Sequence, residues 1–201
     1  NDLKFGLGAY FGKEKKRVDP ATGQQPPAAA SYNDTMLNAW LAALRYSIPV
    51  IPEKQGNKAM SLLVNGNFFY GQNVQGNNWM LPGGASNGSY WRDIATSEAA
   101  APVVTGLYAQ TSWWLVDSLS INGMYGYLKY GYSSAARDQL PGNVNMMQSY
   151  ALNILWNPNQ TVTFGVQWMR MFTGYNRPTS PAAGDRTGQV DQWRAAAWYF
   201  F

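Results

Sequence analysis

The chain contains no histidine and no cysteine, which removes most of the side-chain chemistry that enzymes use. A Ser-His-Asp arrangement cannot be built, nor can the usual zinc or haem ligation. Disulfides and thiolate metal sites are ruled out. A pair of carboxylates is the remaining route to acid–base chemistry. The 11 acidic residues are expected in loops, turns or termini, at Asp2, Glu14, Asp19, Asp34, Glu53, Asp93, Glu98, Asp117, Asp138, Asp185 and Asp191. Solvated carboxylates are the default there. The Ser134-to-Arg137 and Gly83-Gly84 segments match no phosphate-cradling motif. No catalytic residue, cofactor or metal is therefore expected, and the chain is not read as an enzyme.

Cations follow another pattern. Lys4, Arg45, Lys129, Arg170 and Arg194 fall inside segments that alternate like strands, where no Asp or Glu is expected. Lys4 and Arg194 take the parity opposite Leu3/Phe5 and Trp193/Ala195. Arg45 takes the parity opposite Trp40, Ala42, Leu44 and Tyr46. If the apolar parity meets lipid, these three cations line a lumen. Lys129 and Arg170 share the apolar parity but lie near the long-connection end, where they can snorkel to headgroups. Lys/Arg groups in a narrow wet passage attract anions. The competing explanation pairs them with loop carboxylates or uses them as interfacial anchors. The net charge of +4 and the short run Lys13, Lys15, Lys16 and Arg17 are too little to argue for nucleic acid.

The elements that would position these residues are strands. Leu3, Phe5, Leu7, Ala9 and Phe11 alternate with Lys4, Gly6, Gly8, Tyr10 and Gly12, the period of a strand with two different faces. Leu62, Val64, Phe68 and Tyr70 alternate with Ser61, Asn65, Asn67 and Gly71. Tyr150 to Trp156 and Val162 to Trp168 repeat the pattern. Val103 to Val116 and Leu119 to Tyr132 follow it less strictly. Met36 to Ile48 is the weakest: MLNAWLAALRY also suits an amphipathic helix, and its neighbours favour a strand. The polar parity holds Gly, Ser, Asn, Gln and Ala where a soluble sandwich would carry Lys, Glu and Thr. Small uncharged residues suit the lumen of a barrel whose apolar face meets lipid.

Connections alternate in length. Long ones run from Lys13 to Asp34, Asn73 to Ala100, Ser133 to Asn145 and Gly174 to Asp191. Short ones lie at Asp117 and at Asn157-Pro158-Asn159-Gln160, with Ile48 to Lys58 intermediate. Transmembrane barrels have long loops on one side and tight turns on the other. No stretch approaches 18 apolar residues, which excludes a transmembrane helix. The mean hydropathy of −0.33 does not exclude strands that show lipid only every second residue. Aromatics make up 15% of the chain against 13% charged residues, and they fall near strand ends. Tyr46, Trp113, Trp114, Trp156, Trp198 and Tyr199 are expected on the short-turn side. Phe11, Phe68, Tyr70, Tyr130, Tyr132 and Phe172 are expected on the long-loop side, giving two interfacial girdles.

The last strand carries Trp193, Ala195, Ala197, Tyr199 and Phe201 on one parity and ends in Phe. It resembles the signal that outer-membrane proteins present to the barrel-assembly machinery. An unprotected edge ending in WYFF would be an aggregation hazard in a soluble domain. Gly106-Leu107-Tyr108 through Ser112-Trp113-Trp114 and Tyr125-Gly126-Tyr127 resemble the closing hairpins of DcaP-like porins of Gram-negative bacteria. So do Leu152-Asn153-Ile154-Leu155-Trp156-Asn157-Pro158, Val162-Thr163-Phe164-Gly165-Val166-Gln167-Trp168 and the final strand from Arg194 to Phe201. The likeness covers about residues 100 to 201. Two features depart from that family: Gln167-Trp168 replaces an acidic-aromatic pair, and the chain is about half as long.

The expectation is a single all-β domain over residues 1–201. It would be a transmembrane antiparallel up-and-down β-barrel in the bacterial outer membrane, or the C-terminal half of a larger one of about sixteen strands. The chain starts at Asn1 without an initiator Met, so either a signal peptide was removed or the start of a longer polypeptide is missing. The leading function is a porin passing small hydrophilic solutes with an anion preference. The alternatives are a non-conducting eight-stranded anchor, adhesin or scaffold, and a soluble lipocalin-like binder with an apolar interior. Expected partners are the lipid bilayer, the barrel-assembly machinery during biogenesis, and either further copies in a trimer or other members of a membrane complex.

Overall fold

The computed structural model describes residues 2–18, 33–72, 91–92, 99–100, 102–132, 144–175 and 187–200. Among these the regular elements are all strands: β1 (Lys4–Val18), β2 (Asn33–Ile51), β3 (Leu62–Gln72), β4 (Trp91–Arg92), β5 (Ala99–Ala100), β6 (Val103–Val116), β7 (Leu119–Gly131), β8 (Val144–Trp156), β9 (Val162–Tyr175) and β10 (Thr187–Tyr199). Eight form one antiparallel sheet in the order β1-β2-β3-β6-β7-β8-β9-β10, and β4 and β5 pair separately. Every neighbour in the large sheet is also the next of its strands in the chain, an up-and-down meander. No described helix is long and apolar enough to cross a membrane.

The ambiguous Met36–Ile48 segment is part of β2, a 19-residue strand. Its helix-like apolar spacing yields because β1 and β3 offer it ladder partners along its length, a tertiary override of a local pattern. The ladder slips between Pro49 and Ile51, and the irregularity accommodates a proline that has no N–H to donate. Strand bounds also revise the connections. β1 runs on to Val18 and β2 starts at Asn33, so both ends of the expected Lys13–Asp34 loop are strand. The loops expected at Asn73–Ala100, Ser133–Asn145 and Gly174–Asp191 lie largely outside the described residues, as does Phe201.

Short turns are stitched to one another. Gln55 and Gly56 have φ of 50° and 80° and form the tip of a tight turn closed by hydrogen bonds between Lys54 and Asn57, as two-residue hairpins require. The Asp117 carboxylate, in the next turn, accepts the backbone N–H of Lys58 at 2.6 Å and of Ala59 at 3.0 Å. Asn157 N–H donates to the Ser118 carbonyl at 2.7 Å, and Phe200 N–H to the Thr161 carbonyl at 2.8 Å. The Asn159 side chain accepts from the N–H groups of Thr161 and Val162, both at 2.9 Å.

The turns are staggered. Leu62, which starts β3, pairs with Trp113 and this with Ile121, two residues inside the start of β7. Leu119 pairs with Trp156 and this with Phe164, two residues inside the start of β9. Each turn is thus displaced two residues over two strands. With about 3.3 Å of rise per residue and about 4.8 Å between strands, one residue per strand corresponds to a tilt of about 35°, the range found in barrels.

Candidate functional site

Burial separates the two parities. In β2, β3, β6, β7 and β8 every buried residue lies on one face, which includes Leu41, Phe69, Val104, Ser112, Ser120, Asn122, Leu128, Tyr130 and Ala151. In β3, β6, β8 and β9 every exposed large hydrophobic lies on the other, including Phe68, Tyr70, Trp113, Tyr150, Leu152, Ile154, Trp156, Phe164 and Val166. We call these the enclosed and the outward face. The edge strands β1 and β10 are exposed on nearly every described residue.

The outward face is tiered. At the turn end lie Trp113, Trp156 and Tyr199, with Trp156 stacked on Phe164 at 5.6 Å. Phe68, Tyr125 and Trp168 stand six residues after the first residues of β3, β7 and β9, and Tyr150 and Trp193 stand six residues before the last residues of β8 and β10. Register puts all five on the outward parity. Six residues tilted at about 35° rise about 16 Å. Between the tiers sit Val64, Gly66, Ile121, Gly123, Leu152, Ile154, Val166, Ala195 and Ala197, with no charged residue.

The assignment of aromatics to two girdles needs correction at four positions. Trp114 and Trp198 are on the enclosed parity, opposite Ser120 and Thr163. Tyr130 and Tyr132 are buried, 3% and 6% exposed, in a cluster with Leu41, Phe69, Val104 and Leu128. Strand-end position suggested an interfacial role, but their parity is that of Asn122 and Leu128. Of the residues expected to form a terminal signal, Trp193, Ala195, Ala197 and Tyr199 share the outward face.

Lys4, Arg45 and Arg194 all lie on the enclosed face and are exposed. Three cross-strand rows hold them. The first runs Arg194–Gln167–Asn153–Asn122–Ser112, the second from Gln192 through the apolar Met169, Ala151 and Met124 to Gln110, Asn65, Ser47 and Lys4, and the third from Ser149 through Gly126 to Tyr108, Asn67 and Arg45. These rows contain no Asp or Glu. Asn122 donates to Asn153 Oδ1 at 2.8 Å and to Ser120 Oγ at 3.3 Å, Tyr108 OH to Gln110, Gln110 to Ser112 Oγ at 3.3 Å, and Arg194 to Gln192 Oε1 at 2.8 Å. Amides and hydroxyls that hydrogen-bond one another along and across strands form a connected polar network beside the cations.

Toward the long connections the enclosed face changes character. Leu41, Phe69, Val104, Leu128, Tyr130 and Tyr132 pack together, with Ala43, Val144 and Met147 against them. The Phe69 ring lies across Gly106, where a Cβ would collide with it, a glycine covered by a neighbouring aromatic. The expectation that the small parity is hydrogen-bonding throughout therefore fails toward the long connections.

The acidic residues also need correction. Asp191 is inside β10, not at a loop end, and Glu14 and Asp34 lie within β1 and β2. Asp191 and Arg170 are register partners on the outward face. Arg170 donates to both Asp191 oxygens, at 2.8 and 3.0 Å, and its guanidinium sits 5.5 Å from the Trp168 ring centroid. Lys129 is exposed on the outward parity. Among the described residues no group of three or more Asp or Glu could hold a metal ion. No protein-family model, curated protein or solved structure matches the chain.

Proposed function

We propose that the chain is the wall of an outer-membrane porin of the DcaP-like kind, passing small hydrophilic solutes with a preference for anions. The observation that carries this is the exposure of the apolar parity. Leu7 is 87% exposed, Phe11 80%, Val166 53% and Leu152 50%, whereas a soluble sandwich buries those positions against a second sheet. Two aromatic tiers around an uncharged aliphatic band agree with interfacial girdles, and the stagger of the turns agrees with tilted barrel strands.

The enclosed face supports a wet lumen wider than eight strands provide. An eight-stranded barrel is filled by its own side chains. Filling it here would bury Lys4, Arg45 and Arg194 among rows with no carboxylate, and an unpaired buried charge costs several kcal/mol. Further strands beyond the edges of β1 and β10 would relieve that cost and cover backbone groups that lipid cannot satisfy.

One observation favours a second reading, a plugged or non-conducting barrel: the apolar cluster around Val104 fills the loop-side half of the enclosed face. Planar-bilayer recording separates the two. The porin reading expects a large open conductance and, in a salt gradient, a reversal potential of the sign for anion preference. A membrane-inserted but silent chain selects the plugged barrel, and cation selectivity ends the anion proposal. Failure to insert into bilayers ends both.

A further inference from the structure

Methionine takes no part in the anion chemistry of the lumen, yet four of the chain's eight stand on the enclosed parity of three neighbouring strands. These are Met124 of β7, Met147 of β8, and Met169 and Met171 of β9. Ala151 lies between Met124 and Met169 in one cross-strand row, and Ser149 lies beside Met171 in the next. Met147, one row further toward the long connections, packs against the apolar cluster.

The other three can meet. Strand spacing and rise put Met124 about 10 Å from Met169, and Met169 about 7 Å from Met171, between Cα atoms. Two flexible thioether arms span either gap to a shared central atom, and only the small Ala151 and Ser149 lie between. Ala151 is 8% exposed, as an alanine on a single sheet becomes when the long side chains beside it lean over it. Its register neighbours are Met124 and Met169. Gap filling is the ordinary use of methionine in a core. Among the described residues, however, no second sheet is stacked over β7, β8 and β9 for these three to fill against, and they stay half-buried.

We propose that Met124, Met169 and Met171 bind a soft monovalent metal ion, Cu(I) or Ag(I), through their sulfur atoms. Thioethers are soft, uncharged ligands that select such ions. The chain has no histidine or cysteine, and the two rows that hold these methionines contain no Asp or Glu. A hard divalent ion therefore lacks its carboxylates, and zinc lacks its imidazoles and thiolates. Arg194 lies one row nearer the turns. Uncharged ligands cannot offset it, which favours an ion of single charge. The site needs only the register of β7, β8 and β9, and it is independent of conduction.

The test titrates the full chain, folded in detergent micelles, with silver nitrate in chloride-free buffer. One Ag(I) is expected per chain, with sulfur as its only neighbour in the X-ray absorption spectrum, and zinc nitrate is not expected to bind. The variant Met124→Leu/Met169→Leu/Met171→Leu keeps side-chain volume nearly constant and should lose the ion. Met36→Leu/Met60→Leu/Met146→Leu, at outward or turn positions, should retain it. The proposal is overturned if the wild-type chain leaves Ag(I) free, if oxygen or nitrogen surrounds the metal, if zinc binds as well, or if the two triple variants behave alike. The absorption spectrum is read on the wild-type chain, so it decides the matter even where the first variant does not fold.

Discussion

The turn-side and loop-side halves of the enclosed face are made by the same strands, yet one is a lattice of amides, hydroxyls and arginines and the other a packed apolar cluster. Arg194 and Asn153 are separated from Met147 and Leu128 by only a few residues along β8 and its neighbours. Alternation assigns a residue to a face, and it does not say what medium that face meets at a given depth. The turn-side half holds exposed cations and suits water. The loop-side half contains Val104, which is 0% exposed, and behaves as a small core. The outward face, by contrast, is apolar through its middle and charged only beyond its outer aromatic tier.

The sharpest way to break this comparison is truncation in the apolar half. Phe69→Ala is expected to cost about 3–5 kcal/mol by removing a buried ring, read as a lowered urea midpoint of the refolded protein. Asn122→Ala in the polar half should cost only about 1 kcal/mol. Equal losses would mean that the halves do not differ.

Neighbouring residues test the two faces next. Ile154→Arg puts a charge in the aliphatic band and should cost about 2–4 kcal/mol of folding into bilayers. Asn153→Arg, one residue away on the enclosed face, should cost only the hydrogen bond from Asn122, about 1 kcal/mol, and should strengthen anion selectivity. If the arginine is tolerated equally at both positions, the outward band does not meet lipid.

A smaller effect is expected at the stitched turns. Asp117→Ala leaves two backbone donors of the preceding turn without their acceptor, a loss of about 1–2 kcal/mol, visible as faster unfolding with unchanged conductance. The least stability change is expected for Arg194→Gln, which should instead move the reversal potential toward zero. An unaltered potential would remove Arg194 from the conduction path.

Much of the fold was legible in the chain. β6 occupies the segment Val103–Val116 that alternation marks out, and β7 starts at the expected Leu119, because tight turns and period-2 patterning are local properties. That Lys4, Arg45 and Arg194 share the face opposite the exposed apolar files was legible for the same reason. Tyr130 and Tyr132 were misplaced because nearness to a strand end was weighed above parity, although Leu128 and Asn122 on the same file pointed inward. Arg170 could not be matched to Asp191 because 21 residues separate them, and only the register of β9 against β10 brings them face to face.

The sequence by itself determined that these segments are strands with two unlike faces, since side chains of an extended backbone point alternately to opposite sides. Tertiary structure alone decided that Met36–Ile48 is a strand, which residues share a row, and where the enclosed face turns from polar to apolar. Those outcomes depend on hydrogen bonds and packing between strands, and such partners are set by register across the sheet.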